Sequence, residues 1–515
     1  MNGGRIMRVL LSALFLLVLA NASSADLISG ALSGTLGPGI FHVVDTIWVL
    51  ESDSLTLLPG TIFLFDGPYP FQILGTFLAE GTESDSIFFM TYFNSAQDRW
   101  RGLRFVGSAS SGGRLAFCTI RRGYATGGPP NWDGGGVCCA HYSSPSFTEC
   151  TILSNSADGF GGGVNCYDHS SPTFTNCRMK DNSAVGFGGG VCCMFYCSPT
   201  FTGCTMSHNS AQFGGGACCY RSSPNLVNCD VSDNSASQDG GGIYCYLSSS
   251  SFVNCVINRN SAGPYTGYGG GICNDYSSPS LFNCTLSGNS AYYGGGVFCR
   301  LSAVHLNSTV VAFSSRHGVY FSGDSGSQIE YCDIFGNSGG NLAGEIPLEL
   351  AQIVTINANG DPCDRFYNIF LDPMFVDASE GDFHLQLGSP CIDAGDPSLP
   401  LDPDSTIADI GAFYFDQSSA DRWAMFLPES HVLHPSWPNP FNSTTTIRYE
   451  VGATAQVELV IFNMLGQRVT ELAKGRHSAG SYIVTWDAGN LPSGVYLCQM
   501  EAGSFRQTRR LVLVK

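Results

Sequence analysis

The sequence predicts an all-β chain, a long solenoid of stacked parallel strands followed by a small, separate β-sandwich. Three observations carry this prediction. A glycine-triplet repeat fills the middle of the chain, 63 Gly accompany a charged fraction of only 13% in 515 residues, and the composition shifts after Phe415. A charged fraction about half the usual one argues for backbone-paired architecture rather than helices laced with ion pairs. Hydrophobic residues at 43% suffice for a packed core. The formal net charge of −18, from 24 Lys+Arg against 42 Asp+Glu, excludes nucleic acid as the main partner, because phosphate binding needs a basic face.

The first element is residues 1–25. Arg5 and Arg8 precede an apolar run from Val9 to Ala20, and small residues follow at Ala22 and Ala25. A basic start, a short apolar run and an A-x-A-like site read as a secretory signal peptide, cleaved after Ala22 or Ala25. About 12 apolar residues are too few to span a ~30 Å hydrocarbon core. No later stretch is long enough either, so no transmembrane segment is expected.

Residues 26–416 form the second element, with core repeats over about 115–340. Gly triplets begin at Gly134, Gly161, Gly188, Gly214, Gly240, Gly269 and Gly294, at spacings of 27, 27, 26, 26, 29 and 25. One unit reads Gly161-Gly-Gly-Val-Asn-Cys166, Ser171-Pro-Thr-Phe-Thr-Asn-Cys177, Met179-Lys-Asp-Asn182-Ser-Ala184. Short alternating runs broken by Gly, Ser-Pro and Asn-Ser make three strands and three turns, which is one turn of a coil. Such a unit cannot bury its own apolar face, so copies must stack, at a strand spacing of ~4.8 Å.

Stacking turns the repeat into columns. One cysteine column is Cys139, Cys166, Cys193, Cys219, Cys245 and Cys299; a second is Cys150, Cys177, Cys204, Cys229, Cys255 and Cys284. Cys138, Cys192 and Cys218 must face away from their neighbours, and Cys273, one place early, implies a bulge or an outward thiol. Asn155, Asn182, Asn209, Asn234, Asn260 and Asn289 form an asparagine ladder. A turn Asn tolerates left-handed geometry and can hydrogen-bond to the next rung. Tyr167, Met194, Tyr220 and Tyr246, after the first cysteines, could form an exposed stripe for sugar or protein.

These units resemble right-handed parallel β-helix repeats of the pectate-lyase-like class, and in particular polymorphic outer membrane protein repeats. The matches are Gly-Gly-Gly-Val and Ile152-Leu-Ser-Asn155 or Met179-Lys-Asp-Asn182. A third Gly stands where that family has Ala, and aliphatic residues replace its Phe. The resemblance covers about residues 30–415 and implies the fold, not an activity. Leu55–Thr61, Ile73–Phe77 and Trp100–Phe105 look like first rungs; Asp372–Val376, Asp382–Leu385 and Gly388–Asp396 resemble closing rungs.

A polar linker, 417–430, leads to the last element, 431–515. Alternating runs such as Thr446–Tyr449, Val457–Phe462, Ser481–Trp486, Gly494–Leu497 and Arg510–Val514, parted by turn residues, read as a small β-sandwich. Pro438-Asn439-Pro440-Phe441-Asn442, Gly466 after Asn463-Met-Leu, Trp486-Asp487, and Gly494 and Tyr496 within Leu491-Pro-Ser-Gly-Val-Tyr are similar to the C-terminal sorting domain of type IX secretion substrates. The alternative is a plain Ig-like module of FlgD type. The resemblance implies the type IX secretion machinery as partner and a secreted or cell-surface location in a bacterium.

Candidate chemistry is sparse. A P-loop needs Lys-Ser/Thr after its glycines, and none follows these triplets. Gly323-Asp-Ser-Gly326 matches a serine-protease nucleophile loop over four residues, without the matching His context. The cysteines are spaced about 11 residues apart rather than as C-x2-C and lack accompanying His, which does not suit zinc. Stacked thiols suit small apolar filling; disulfides between rungs are the alternative. Asp393, Asp396, Asp402, Asp404 and Asp409 could hold calcium through oxygen, with turn-capping the simpler role. Asp158, Asp181, Asp233 and Asp239 lie at turns of different rungs and form no acid–base pair. No catalytic, cofactor-binding or metal-ligating residue is therefore assigned, and no cofactor is expected apart from that calcium option. The function expected is a structural, adhesive or glycan-binding surface module, with a cell-surface glycan or a host protein as further partner. The alternative is an extracellular polysaccharide lyase or glycoside hydrolase.

Overall fold

A computed structural model describes residues 26–91, 99–128, 133–324, 326–417, 430–436, 438–477, 479–489 and 491–514. The expected signal peptide, most of the linker and Ser325 of the protease-like loop lie outside them.

Residues 26–344 coil into a parallel β-solenoid with three long ladders. Sheet I contains the strands after the glycine triplets, Val137–Ala140, Val164–Tyr167, Val191–Met194, Ala217–Tyr220, Ile243–Tyr246, Ile272–Asp275 and Val297–Ser302. Sheet II is a 12-stranded ladder that includes Ser146–Thr148, Thr173–Thr175 and Thr200–Thr202. Sheet III includes Thr151–Leu153, Arg178–Lys180, Thr205–Ser207 and Asp230–Ser232. A short fourth ladder holds the Ser-Ala pairs after the asparagines.

Strand alternation decides what enters the coil. Val137 and Cys139 point inward, Phe147 joins them from sheet II and Ile152 from sheet III, all 0–1% exposed. Like residues then sit on like. Phe147, Phe174 and Phe201 stack with centroids 4.7 and 5.0 Å apart. The triplets are glycine for lack of room: Gly188 has φ 67°, and a Cβ on Gly189 would lie 2.5 Å from the carbonyl oxygens of Gly215 and Ser210.

The asparagine ladder lies inside the coil rather than in left-handed turns. The residues before it take the positive φ: Ser154, Asp181, His208, Asp233, Arg259 and Gly288. Their turn aims each Asn inward, where Asn209 Nδ2 donates to Met179 O (2.9 Å) and Asn234 Oδ1 (3.0 Å) while its Oδ1 accepts the Asn182 N–H (3.0 Å).

All 22 cysteines are buried thiols without a disulfide partner. The first column packs as small apolar residues; the hydrogen bond with the Cys193 thiol pulls Cys166 down, but burial and the charges of neighbouring thiols outweigh it and push Cys166 up to about 12. Filling is not the whole role of the second column. The Cys204 thiol donates to Phe174 O (3.4 Å) and accepts the Cys177 N–H (3.4 Å). Thr309 replaces cysteine on a later rung and makes the same pair of bonds, to Leu281 O and from Cys284 N–H. Replacement of Cys204 by Thr should therefore leave stability within about 1 kcal/mol, whereas Val should cost about 1–2 kcal/mol by leaving a buried donor and acceptor unpaired. Denaturant unfolding of the two variants checks this, and Val matching Thr would restore pure filling. Cys273 introduces no bulge. It continues the outward column between Tyr244 and Phe298, leaving Asn274 inward.

The expected closing rungs do not stack on the coil. Phe375–Asp377 and Asp382–Leu385 pair antiparallel and fold back over the outer face of sheet III. There Phe375, Phe383, Leu385 and Ile410 bury Val256, Val310 and Ala312. The outward residues of that column are Thr151, Arg178, Thr205 and Asp230 on earlier rungs and become Val256 and Val310 later, so only the later rungs need apolar cover. Hydrogen bonds from Gly411 N to Ser308 O and from Ala412 N to Thr285 Oγ1 fix the segment.

Residues 432–513 form two antiparallel sheets. One pairs Val432–Leu433, Thr444–Val451 and Gly480–Asp487; the other orders Arg468–His477, Ala455–Asn463, Gly494–Ala502 and Phe505–Leu513. They share a core of their own around Ile447, Leu459, Trp486 and Met500.

Candidate functional site

The outer face of sheet I carries the candidate site. Its first outward column runs Arg104, Cys138, Asn165, Cys192, Cys218, Tyr244, Cys273, Phe298. The second runs Val106, Ala140, Tyr167, Met194, Tyr220, Tyr246, Asp275, Arg300 in the same register. A third column comes from the residue before each triplet: Asp133, Phe160, Phe187, Phe213, Asp239, Tyr268 and Tyr293. Sequence reasoning missed this third column, although its fixed place before the glycines was visible.

Two aromatic rails result. Phe160, Phe187 and Phe213 form one, with centroids 5.4 and 4.9 Å apart. Tyr167, Phe195, Tyr220 and Tyr246 form the other, at 5.5, 5.8 and 4.9 Å. The stripe expected at Tyr167, Met194, Tyr220 and Tyr246 is therefore a contiguous row, but not an exposed one. The tyrosines are half-buried, and Met194 is 6% exposed, because the rings of the row pack on one another and Phe187 of the opposite rail meets Tyr220, centroids 6.3 Å apart.

Between the rails lies a groove of about 780 Å³. Floor size decides where it opens. Cys138 and Asn165 leave space, whereas Tyr244 fills the equivalent position, its ring 5.3 Å from Phe213. Beyond it, Tyr268, Phe298 and Arg300 line only a smaller hollow of about 180 Å³, with the guanidinium 5.0 Å from the Tyr268 ring centre. Cation–π contact and the Asp275 carboxylate 3.2 Å away hold Arg300 there.

The polar groups collect at one end. Arg104 donates to Asp133 O (3.0 Å), and Asp133 Oδ1 accepts the Phe160 N–H (2.9 Å). Asp239 receives the Tyr268 N–H in the same way (3.0 Å), so an aspartate before a triplet anchors the aromatic of the next rung. Burial raises the Asp133 carboxyl to about 6 against the pull of that N–H and of Arg104. Burial also raises the Cys138 thiol. Asn165 is 1% exposed, and its Oδ1 has no hydrogen-bond partner among the described residues. Asp133 is the single carboxylate among the described residues that line the groove.

The acidic group near the end of the solenoid is used internally. Asp409 accepts the N–H groups of Asp393 (2.7 Å) and Phe415 (2.6 Å), Asp402 accepts that of Asp409, and Asp404 that of Gln417. Asp396 accepts Asn307 Nδ2. Burial lifts Asp409 to about 7. Among the described residues no group of three His, Cys, Asp or Glu is placed to hold a metal.

The C-terminal motif residues close the sandwich. Asn439 Nδ2 donates to Arg510 O (2.7 Å) and its Oδ1 accepts the Val512 N–H (2.8 Å), while Phe441 N–H reaches Val512 O. Thr445 donates its hydroxyl to Pro438 O. Phe441, Trp486 and Tyr496 are 2–5% exposed and in ring contact. Gly466 turns with φ 74°, and Gly494 opens the strand Gly494–Ala502.

Residues 83–189 and 186–309 match the family model of the right-handed β-helix region, and residues 436–515 match that of the secretion system C-terminal sorting domain. Neither a curated protein nor a solved structure matches the chain. A sorting domain of this kind marks a chain for export from the cell and for surface attachment or release.

Proposed function

We propose that this chain, a right-handed β-helix protein with a secretion system C-terminal sorting domain, leaves a bacterial cell by a type IX route and displays a glycan-binding groove outside it. Residues 1–25 engage general secretion, and 431–515 engage the later step. The observation that carries the binding reading is the groove on sheet I, where small floor residues lie between two aromatic rails. Aromatic faces suit the apolar faces of sugar rings, and Asp133, Arg104 and Asn165 offer hydrogen bonds to hydroxyls. A single carboxylate among the described lining residues suits binding better than glycoside hydrolysis, which uses two.

The test is a glycan array followed by titration of the ligands found. Asn165→Phe puts a ring where Tyr244 and Phe298 already sit on later rungs, so the fold should accept it while the groove fills. Binding should weaken at least about tenfold, which corresponds to 1.4 kcal/mol. Undiminished binding would move the site elsewhere. Turnover of a pectin or glycan panel, with or without calcium, that Asp133→Asn abolishes would replace the binding reading by the enzymatic one.

A further inference from the structure

Polarity in the groove is segregated along the solenoid axis. Gln72, Arg104, Asp133 and Asn165 occupy its N-terminal rungs, while Phe187, Met194, Phe195 and Tyr220 line the next ones. At ~4.8 Å per rung, the apolar part extends about 5 Å before Phe187 meets Tyr220 and ends it, their ring centroids 6.3 Å apart.

Each end constrains the occupant. Asn165 Oδ1, 1% exposed and unpartnered, calls for an O–H or N–H donor. Hydroxyls placed between Phe187 and Met194 would be stripped of water without a partner, which is costly. A wholly apolar ligand leaves Asn165 unpaired, and an unsubstituted oligosaccharide buries hydroxyls against the rails. An amphipathic ligand meets both conditions.

On the reading that the groove takes a glycan, we propose that this glycan carries an apolar substituent, acyl or aryl. Its sugar ring sits over Asn165, Asp133 and Arg104, and its substituent reaches between Phe187 and Phe195, up to the contact of Phe187 with Tyr220. The groove thereby selects modified saccharides over plain ones.

Calorimetric titration of the full mature chain with alkyl β-glucosides, from methyl to octyl and below their micelle-forming concentrations, tests this. Affinity should rise about fourfold per methylene, the ratio expected for a buried CH₂, and level off once the tail reaches the Phe187–Tyr220 contact. Asn165→Phe should abolish the rise, and Asn165→Leu should remove the preference for the glucoside over an oligoethylene-glycol ether of equal tail, with circular dichroism confirming that both variants fold. Unsubstituted glucose oligomers binding as well as the octyl glucoside would overturn the substituent and leave the glycan reading in place. Equal binding of glucoside and ether by the unmutated protein would overturn the glycan reading itself. Failure of every alkyl glucoside to bind would overturn the substituent, with the glycan array still deciding the broader reading.

Discussion

Asn209→Leu should lower the unfolding free energy of the solenoid by about 4 kcal/mol, a large part of a typical total of roughly 5–15 kcal/mol. Leucine has nearly the same shape, so the loss is one of hydrogen bonds rather than packing. Asn209 is 1% exposed, donates to Met179 O and Asn234 Oδ1, and accepts from Asn182 N and Asn182 Nδ2. All four groups lose a partner in the dry interior, at about 1–3 kcal/mol for each one left unsatisfied. Some keep a second bond, as Asn182 Nδ2 does to Ile152 O, which holds the sum to the low end of the roughly 4–12 kcal/mol that four unpaired groups would cost. Met206→Leu, three residues earlier and equally buried, should cost less than about 1.5 kcal/mol because it conserves volume and polarity. Urea denaturation of the two variants gives the comparison. Equal midpoints would mean that the ladder contributes no more than ordinary packing.

Removing residues 431–515 should leave the solenoid folded and abolish its appearance outside the cell. The two parts draw on separate cores: the solenoid cluster is built from residues between Phe41 and Leu350, the sandwich cluster from residues between Leu433 and Leu513. The deletion therefore strips no side chain from the solenoid core. Without the sorting domain the chain should accumulate in the periplasm of a type IX-competent host, as fractionation and surface proteolysis would report. Fusion of 431–515 to a passenger with a signal peptide should carry that passenger to the surface. Phe441→Ala should cut export as well, because Phe441 fastens Pro438–Asn442 to the last strand and packs on Trp486. A truncated chain found outside at normal levels would leave these residues as a plain Ig-like module.

The sequence alone determined the solenoid and its columns. A repeat of 25–29 residues admits one register, since slipping a strand by one residue would bury Ser and Lys and expose Val and Cys. The stacking of Cys139 on Cys166 and of Asn155 on Asn182 was therefore written in the spacing, and the sorting domain in its ordered motifs. Some of the groove was equally periodic, for Asp133, Phe160 and Phe187 each precede a triplet.

Tertiary structure decided what these columns face. The openness of the groove depends on whether Asn165 or Tyr244 occupies one outward position beneath a rail from a different turn, and no spacing reports that volume. The use of Cys204 as a hydrogen-bonding group depends on where the Phe174 carbonyl points. The fold-back of Phe375–Leu385 onto Val256 and Ala312 joins segments far apart in sequence and outside the repeat. Periodicity fixes contacts between neighbouring rungs because each copy meets the next in the same way. Contacts between a rung and a non-repeating segment have no such template, and only packing in three dimensions selects them.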